Sequence, residues 1–215
     1  MRQAISEFLV YHALDTDIFC FQEASEDMEV LCQDILTGYN KVTAYKFVAE
    51  DNDFPQATYT KKDVHVIASG TILTEDKNSG LGLYVQCQTP EYDLYVCNFH
   101  GSSLPGDKLD NPDRVRASQA VINFFQDKAD PVIIGGDFNL LPESESVRLF
   151  ARNNYKDLIK DYNVKTTRNR LAWELYPGHE QYHSDYVFVG KDIKIKDFTV
   201  RAGEISDHLP LILEI

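Results

Sequence analysis

Pro131-Val132-Ile133-Ile134-Gly135-Gly136-Asp137-Phe138-Asn139 is the stretch from which the rest of the chain can be read. Three β-branched residues in a short apolar run, bounded by a proline and a glycine pair, predict a buried strand. The strand ends in a carboxylate and a carboxamide, and α/β proteins gather their ligands where strands end. At i and i+2 on an extended backbone, Asp137 and Asn139 project to the same side. Such a pair can hold a water molecule and a metal-bound oxygen together, which points to chemistry on phosphate esters. Farther on, Ser206-Asp207-His208-Leu209-Pro210 sets an acid and an imidazole at the start of another apolar run.

Working outward, Ile5, Phe8, Leu9 and His12 recur at helical spacing over residues 2–13. Asp17-Ile18-Phe19-Cys20-Phe21 is strand-like and delivers Gln22 and Glu23 at its end. Ser25 has the chemistry of an N-cap for a helix through Met28, Leu31, Cys32 and Ile35 that Gly38 stops. Residues 42–48, 64–69, 81–88 and 92–98 read as antiparallel hairpin strands. Asn111-Pro112-Asp113 supplies a cap, a first-turn proline and an acid for a helix through Val115, Ile122 and Phe125. A short helix is expected over 144–150, an irregular functional loop over 153–176, and strands over 186–189, 193–200 and 209–215.

A chain of 215 residues buries enough surface for a single domain, expected over residues 1–215. Its 34 acidic against 21 basic residues give a net charge of -13, which disfavours non-specific binding to duplex DNA and suits cations. A local basic rim of Arg114, Arg116, Lys165, Arg168 and Arg170 remains available to a phosphorylated substrate. No apolar run approaches the ~20 residues of a membrane span. Cys20, Cys32, Cys87 and Cys97 lie inside apolar patterns without C-x-x-C spacing and read as buried reduced thiols. Nothing after Met1 resembles a signal or transit peptide, so a cytoplasmic monomer is expected.

Polar groups terminate apolar strands at five places: Glu23, His100, Asp137 with Asn139, Asp185, and Asp207 with His208. Any one alone reads as a cap, a turn or an edge-blocking charge. Together, the strings Phe21-Gln22-Glu23, Asn98-Phe99-His100-Gly101, Gly135-Gly136-Asp137-Phe138-Asn139, Ser184-Asp185-Tyr186-Val187-Phe188-Val189 and Ser206-Asp207-His208-Leu209-Pro210 resemble, in order, the motifs of the endonuclease/exonuclease/phosphatase superfamily.

That resemblance implies a deoxyribonuclease I-like α/β fold, a four-layer sandwich of two mixed, mostly antiparallel β-sheets flanked by helices. It implies a metal-dependent hydrolase that cleaves a phosphodiester or phosphomonoester by in-line attack of an activated water. Glu23 would be the principal Mg²⁺ ligand, with Mn²⁺ as the alternative ion and Asp207 close to the metal. Asp137 would orient or deprotonate the water, and Asn139 would bond water and phosphoryl oxygen. His208, oriented by Asp185, would contact the phosphate, and His100 would lie near the leaving group. Arg114, Arg116 and Arg168 are the expected substrate-binding residues, for a nucleic acid, a lipid headgroup or a small ester. The chain departs from the family by lacking an opening strand that carries an asparagine, and is in that sense N-terminally truncated. Losing that strand should expose ladder groups and leave a groove. The rival expectation is a degenerate member that binds a phosphate ligand or a partner without catalysis.

His179-Glu180-Gln181-Tyr182-His183 matches the helical zinc-protease signature H-E-x-x-H. Pro177-Gly178 before it and the extended run from Asp185 after it leave under two turns, so the segment is expected to be a loop.

Overall fold

The computed structural model describes residues 2–49, 52–90, 92–174, 177–190 and 192–215. In chain order α1 (Arg2–His12), β1 (Ile18–Gln22) and α2 (Glu26–Ile35) come first. A strand-rich stretch follows: β2 (Tyr39–Ala44), β3 (Phe47–Ala49), β4 (Asn52–Asp53), β5 (Gln56–Lys61), β6 (His65–Ile72), β7 (Leu81–Gln88) and β8 (Asp93–His100). Then come α3 (Pro112–Gln126), β9 (Val132–Asp137), α4 (Glu145–Arg152), β10 (Tyr155–Asp157) and α5 (Leu158–Asp161). β11 (Asp185–Gly190), β12 (Asp197–Val200) and β13 (Leu211–Glu214) close the chain.

The caps fall where their chemistry demands. The Ser25 hydroxyl accepts from Met28 N at 3.4 Å, and Asn111 Oδ1 accepts from Arg114 N at 2.9 Å, with Pro112 opening α3.

A six-stranded sheet, β10-β11-β9-β8-β7-β6, packs one face against α3 and α4 and the other against an antiparallel sheet, β1-β5-β2. α1 and α2 cover that second sheet through Leu9, Phe19, Cys32 and Leu36, which completes four layers. Only β8 and β9 run parallel among the described strands, joined by the α3 crossover. The interior between the sheets is not wholly apolar: fully buried Asn98 donates to Phe21 O at 3.0 Å and to Ala57 O at 3.3 Å, and Gln56 Nε2 donates to Leu81 O at 3.0 Å. These bonds tie the layers in one register, because a buried amide left unpaired costs ~1–3 kcal/mol.

Two features differ from expectation. β5 is not among the expected strands, although it is the central strand of its sheet. Gln56, Thr58 and Thr60 alternate along it with Ala57 and Tyr59 and all five are buried, so it lacks the continuous apolar run by which a strand covered on both faces is read. The second sheet is also divided: β1 pairs only with β5 among the described strands, and β12 and β13 form a separate hairpin.

Residues 153–176 are less irregular than their sequence suggests. They contain β10, α5 and a 3-10 turn at Arg170–Ala172, while Leu175 and Tyr176 lie outside the described residues. Ile193–Lys196 is not strand, and only Asp197–Val200 pairs. All four cysteines are free, and none of the described helices is long and apolar enough to cross a membrane.

Candidate active site

The six-stranded sheet brings three of the predicted groups into one row. His100 at the end of β8 lies opposite Asp137 at the end of β9, and Asp137 lies opposite Asp185 at the start of β11. Phe138 fixes the end of β9: its ring is buried among Phe99, Phe150, Tyr186 and Phe188 at centroid distances of 4.7, 5.5, 5.6 and 5.2 Å. Burying that ring presents its two neighbours at the rim. Gly136 permits the approach, with φ +139 and a position where a Cβ would sit 2.0 Å from Phe99 O.

Asp137 and Asn139 meet, but not through the two-residue repeat of a strand. Asn139 adopts φ +54, and its backbone N–H donates to Asp137 Oδ1 at 2.8 Å. A turn closed by the aspartate therefore replaces the extended geometry.

His208 reaches the row from the loop before β13. Its Nδ1 lies 2.9 and 3.0 Å from the two Asp185 oxygens, and its Nε2 lies 3.9 Å from Asp137 Oδ2 and 3.6 Å from Asp207 Oδ2. The loop is held by a bridge between Arg168 and His208 and by Leu209 N donating to Thr167 O at 2.8 Å. Thr167 Oγ1 in turn accepts from Ser184 N and Asp185 N at 3.1 and 3.2 Å. The segment least legible in sequence thus clamps the His208 loop to β11.

Electrostatics separate the protonation states. Burial pushes the Asp137 carboxyl up, but facing His208, Lys108 and His100, with the Ser184 hydrogen bond, outweigh it and hold the group at about 2. Burial pushes the His208 imidazole down, yet Asp185 and Asp137 overcome this and raise it to about 10. Burial raises Asp185 against the attraction of His208. At neutral pH the site therefore holds an ionised Asp137 facing an imidazolium.

Other predicted side chains make no hydrogen bond to Asp137, Asp185 or His208 among the described residues. His100 is buried with its ring edge-on to Phe54 at 5.1 Å, and its Nδ1 has no hydrogen-bond partner among the described residues. Glu23 is exposed in a left-handed turn with φ +53 and is not among the groups within ligand reach of one another. Arg168 is only 12% exposed, with its guanidinium 3.7 Å from Asp207 Oδ2 and its Nε unpartnered.

Arg114 and Arg116, expected at the substrate, are committed elsewhere. The buried Arg114 guanidinium donates to Asp107 Oδ1 and to the carbonyls of Leu109, Ser102 and Ser103, clamping the loop after β8. Arg116 pairs with Asp76 and Asp113 on the outer face of α3. Among the described residues no ion pair joins either to the cluster.

Sequence reasoning missed three contributors, Lys108, Ser184 and Thr167. Buried Lys108 donates through Nζ to Asn139 Oδ1 and, at 2.9 Å, to Ser184 Oγ, which itself donates to Asp137 Oδ1. A lysine between Asp107 and Leu109-Asp110 in a loop reads as solvated, so no sequence signal marks it. Ser184 opens one of the five motifs, but its residue type alone gives it no role.

Asp137, Asp185 and His208 offer ligand atoms all within 4.8 Å of one another. The imidazole is bonded to Asp185 and favours its protonated form, so the donors of this cluster are the carboxylate oxygens of Asp137 and Asp185, with Asp207 Oδ2 3.6 Å from the ring. That set fits a hard divalent cation and not zinc. His179–His183 forms no helix, and His183 Nε2 is engaged with Val164 O at 3.1 Å, so the zinc-protease pattern is coincidental.

A row of strand-end acid, imidazole and amide groups on a four-layer α/β sandwich defines a class, and the sequence profile agrees with it. The profile of the endonuclease/exonuclease/phosphatase family matches residues 2–208, and the chain belongs to that family. Among solved structures, an endonuclease/exonuclease/phosphatase protein from Bacteroides vulgatus superposes with a TM-score of 0.75 at 18% identity, covering 99% of this chain and 91% of that one. A humanized TDP2 of D. rerio gives 0.74 at 16% identity over 99% and 91%. A mannosyl-6-phosphatase of Bacteroides thetaiotaomicron gives 0.70 at 17% identity over 99% and 89%. None of the curated proteins matches this chain in sequence.

Proposed function

We propose that this protein is a Mg²⁺-dependent phosphoesterase that hydrolyses a phosphodiester or phosphomonoester by in-line attack of water. The observation that carries the reading is the convergence of Asp137, Asp185 and His208, with His208 bonded to Asp185 at 2.9 Å and 3.9 Å from Asp137 Oδ2. Asp137 Oδ1 already accepts from Ser184 Oγ and Asn139 N, so Oδ2 is the oxygen left to orient the attacking water. His208 carries both ring protons at neutral pH and therefore donates through Nε2 to a phosphoryl oxygen, while the proton of the water goes to Asp137. Asp185 orients the imidazole and stabilises its charge. Arg168, 3.7 Å from Asp207 Oδ2, adds a cation beside the His208 loop.

Glu23 and Asp207 would hold the Mg²⁺, which when bound would neutralise phosphoryl charge that otherwise repels the nucleophile. Mn²⁺ suits the same oxygen donors. Membership in the family and the presence of a mannosyl-6-phosphatase and TDP2 among the structural neighbours support phosphate-ester chemistry.

The test is turnover of a panel containing an oligonucleotide, a phospholipid headgroup ester and a sugar phosphate. Each is assayed with Mg²⁺, with EDTA and with Asp137→Asn. One class should be hydrolysed, EDTA should abolish turnover, and Asp137→Asn should reduce kcat by ~10²–10⁴-fold. Turnover indifferent to both changes sinks the mechanism.

A further inference from the structure

We propose that Lys108 is the principal phosphoryl-binding cation of this site, with Asn139 and Ser184 as the positioning residues that aim its ammonium. The inference rests on the phosphoesterase reading and reassigns a task within it. Asn139 is anchored at both ends of its carboxamide. Oδ1 accepts from Lys108 Nζ, and Nδ2 donates to Gly101 O at 3.0 Å. One neutral N–H remains on Asn139, whereas an ammonium with two of its three donors engaged keeps one charged N–H. Charge-assisted bonds to phosphate are roughly twice as strong as neutral ones, so the lysine dominates.

The charge itself is unfinished. Lys108 is only 6% exposed, yet both hydrogen-bond partners of Nζ are neutral and no carboxylate lies within ion-pair distance among the described residues. Buried lysines are rare unless paired, because desolvating an ammonium is costly. Asp137 and Asp185 attract it across the site, but neither reaches ion-pair distance, since Ser184 stands between Lys108 and Asp137, accepting from Lys108 and donating to Asp137 Oδ1. A phosphoryl group arriving over Asp137 and His208 supplies the missing anion.

The backbone holds the lysine in place for this. Lys108 is in the left-handed region at φ +56, an arrangement that is unfavourable for a residue with a Cβ. Lys108 O accepts from Leu141 N at 2.8 Å on one side, and the Arg114 clamp on Asp107 and Leu109 fixes the other. Arg114 thus serves the substrate indirectly, by stiffening the loop that carries Lys108.

The experiment measures binding of inorganic phosphate by calorimetry in EDTA, for the wild-type chain and for Lys108→Met, which keeps the stem and removes the charge. Circular dichroism confirms the fold of each. Lys108→Met should weaken phosphate binding ~10–100-fold, the loss of one charge-assisted bond. A crystal of the wild-type protein with tungstate, a phosphate mimic, gives a second readout that does not depend on the variant folding. A tungstate oxygen should lie within ~3.2 Å of Lys108 Nζ. Phosphate affinity unchanged in Lys108→Met, no phosphate binding by the wild type, or a tungstate held by Asn139 Nδ2 with Nζ out of reach each overturn the assignment. Its failure is separable from that of the enzyme reading. Phosphate binding lost in Lys108→Met by a chain that hydrolyses no ester removes the enzyme and leaves the anion site. Hydrolysis with KM and phosphate affinity untouched in Lys108→Met does the reverse.

Discussion

Replacing Asp185 with asparagine removes one negative charge from the face of His208 while preserving the volume of a side chain that is only 5% exposed. Both Asp185 oxygens approach Nδ1, at 2.9 and 3.0 Å, and Asp185 is the strongest of the charges that favour the imidazolium. The rise of His208 from 6.5 to about 10, at ~1.4 kcal/mol per unit, is on the order of 5 kcal/mol of preference for the charged ring. Asp137 and Asp207 share in that preference, and burial opposes it. Losing an opposite charge at contact distance shifts a pKa by ~1–3 units. The assay is a carbon-detected titration of the imidazole Cε1 resonances between about pH 5 and about pH 11. His208→Asn identifies the signal among the six histidines. The wild-type resonance should titrate in the alkaline range, and Asp185→Asn should bring it down by ~1–3 units while lowering kcat by ~10²–10⁴-fold. A wild-type His208 titrating at ~6.5, or a titration unmoved by Asp185→Asn, refutes the charge-pair argument.

Two further outcomes follow from the same geometry. Gly136→Ala places a Cβ 2.0 Å from Phe99 O at φ +139, so the β8–β9 ladder must part or the turn to Asp137 must shift. Urea unfolding should show a loss of at least ~2 kcal/mol, and a midpoint equal to wild type contradicts so close an approach of the two strands. Stability should also follow the two shifted groups. Asp137 is depressed to about 2, so its contribution is whole above 3.8 and disappears as pH falls through about 2. His208 is raised to about 10, so its contribution is whole below 6.5 and disappears as pH rises through about 10; the raised Asp185 works against both. Urea midpoints should decline from pH 6.5 towards about 10, and His208→Asn should flatten that decline. An equal slope in the variant assigns the alkaline loss to other groups.

Local chemistry made much of this legible in the sequence. Ser25 and Asn111 cap helices because a side-chain oxygen near an unpaired N–H needs no tertiary context. Val132–Ile134 and Tyr186–Val189 declare themselves as strands because they are apolar where the sheet is covered. A strand signal also places the polar residue that ends it, so Asp137, Asp185 and His208 could be named before their partners were known.

What escaped the sequence was settled by packing across distance. β5 buries Gln56, Thr58 and Thr60, and the Gln56 bond to Leu81 O exists only when the two sheets stack, so no local pattern carries that information. Arg114 and Lys108 are both cations in one stretch, and residue type gives no reason to prefer either for a phosphate. Tertiary structure turned Arg114 onto the carbonyls of its own loop and sent Lys108 between Asn139 and Ser184. Sequence determines which groups end strands, because hydrophobic periodicity is a short-range code. Which buried charge is left without a direct ion-pair partner depends on residues up to 76 positions apart, and only the folded chain brings them together.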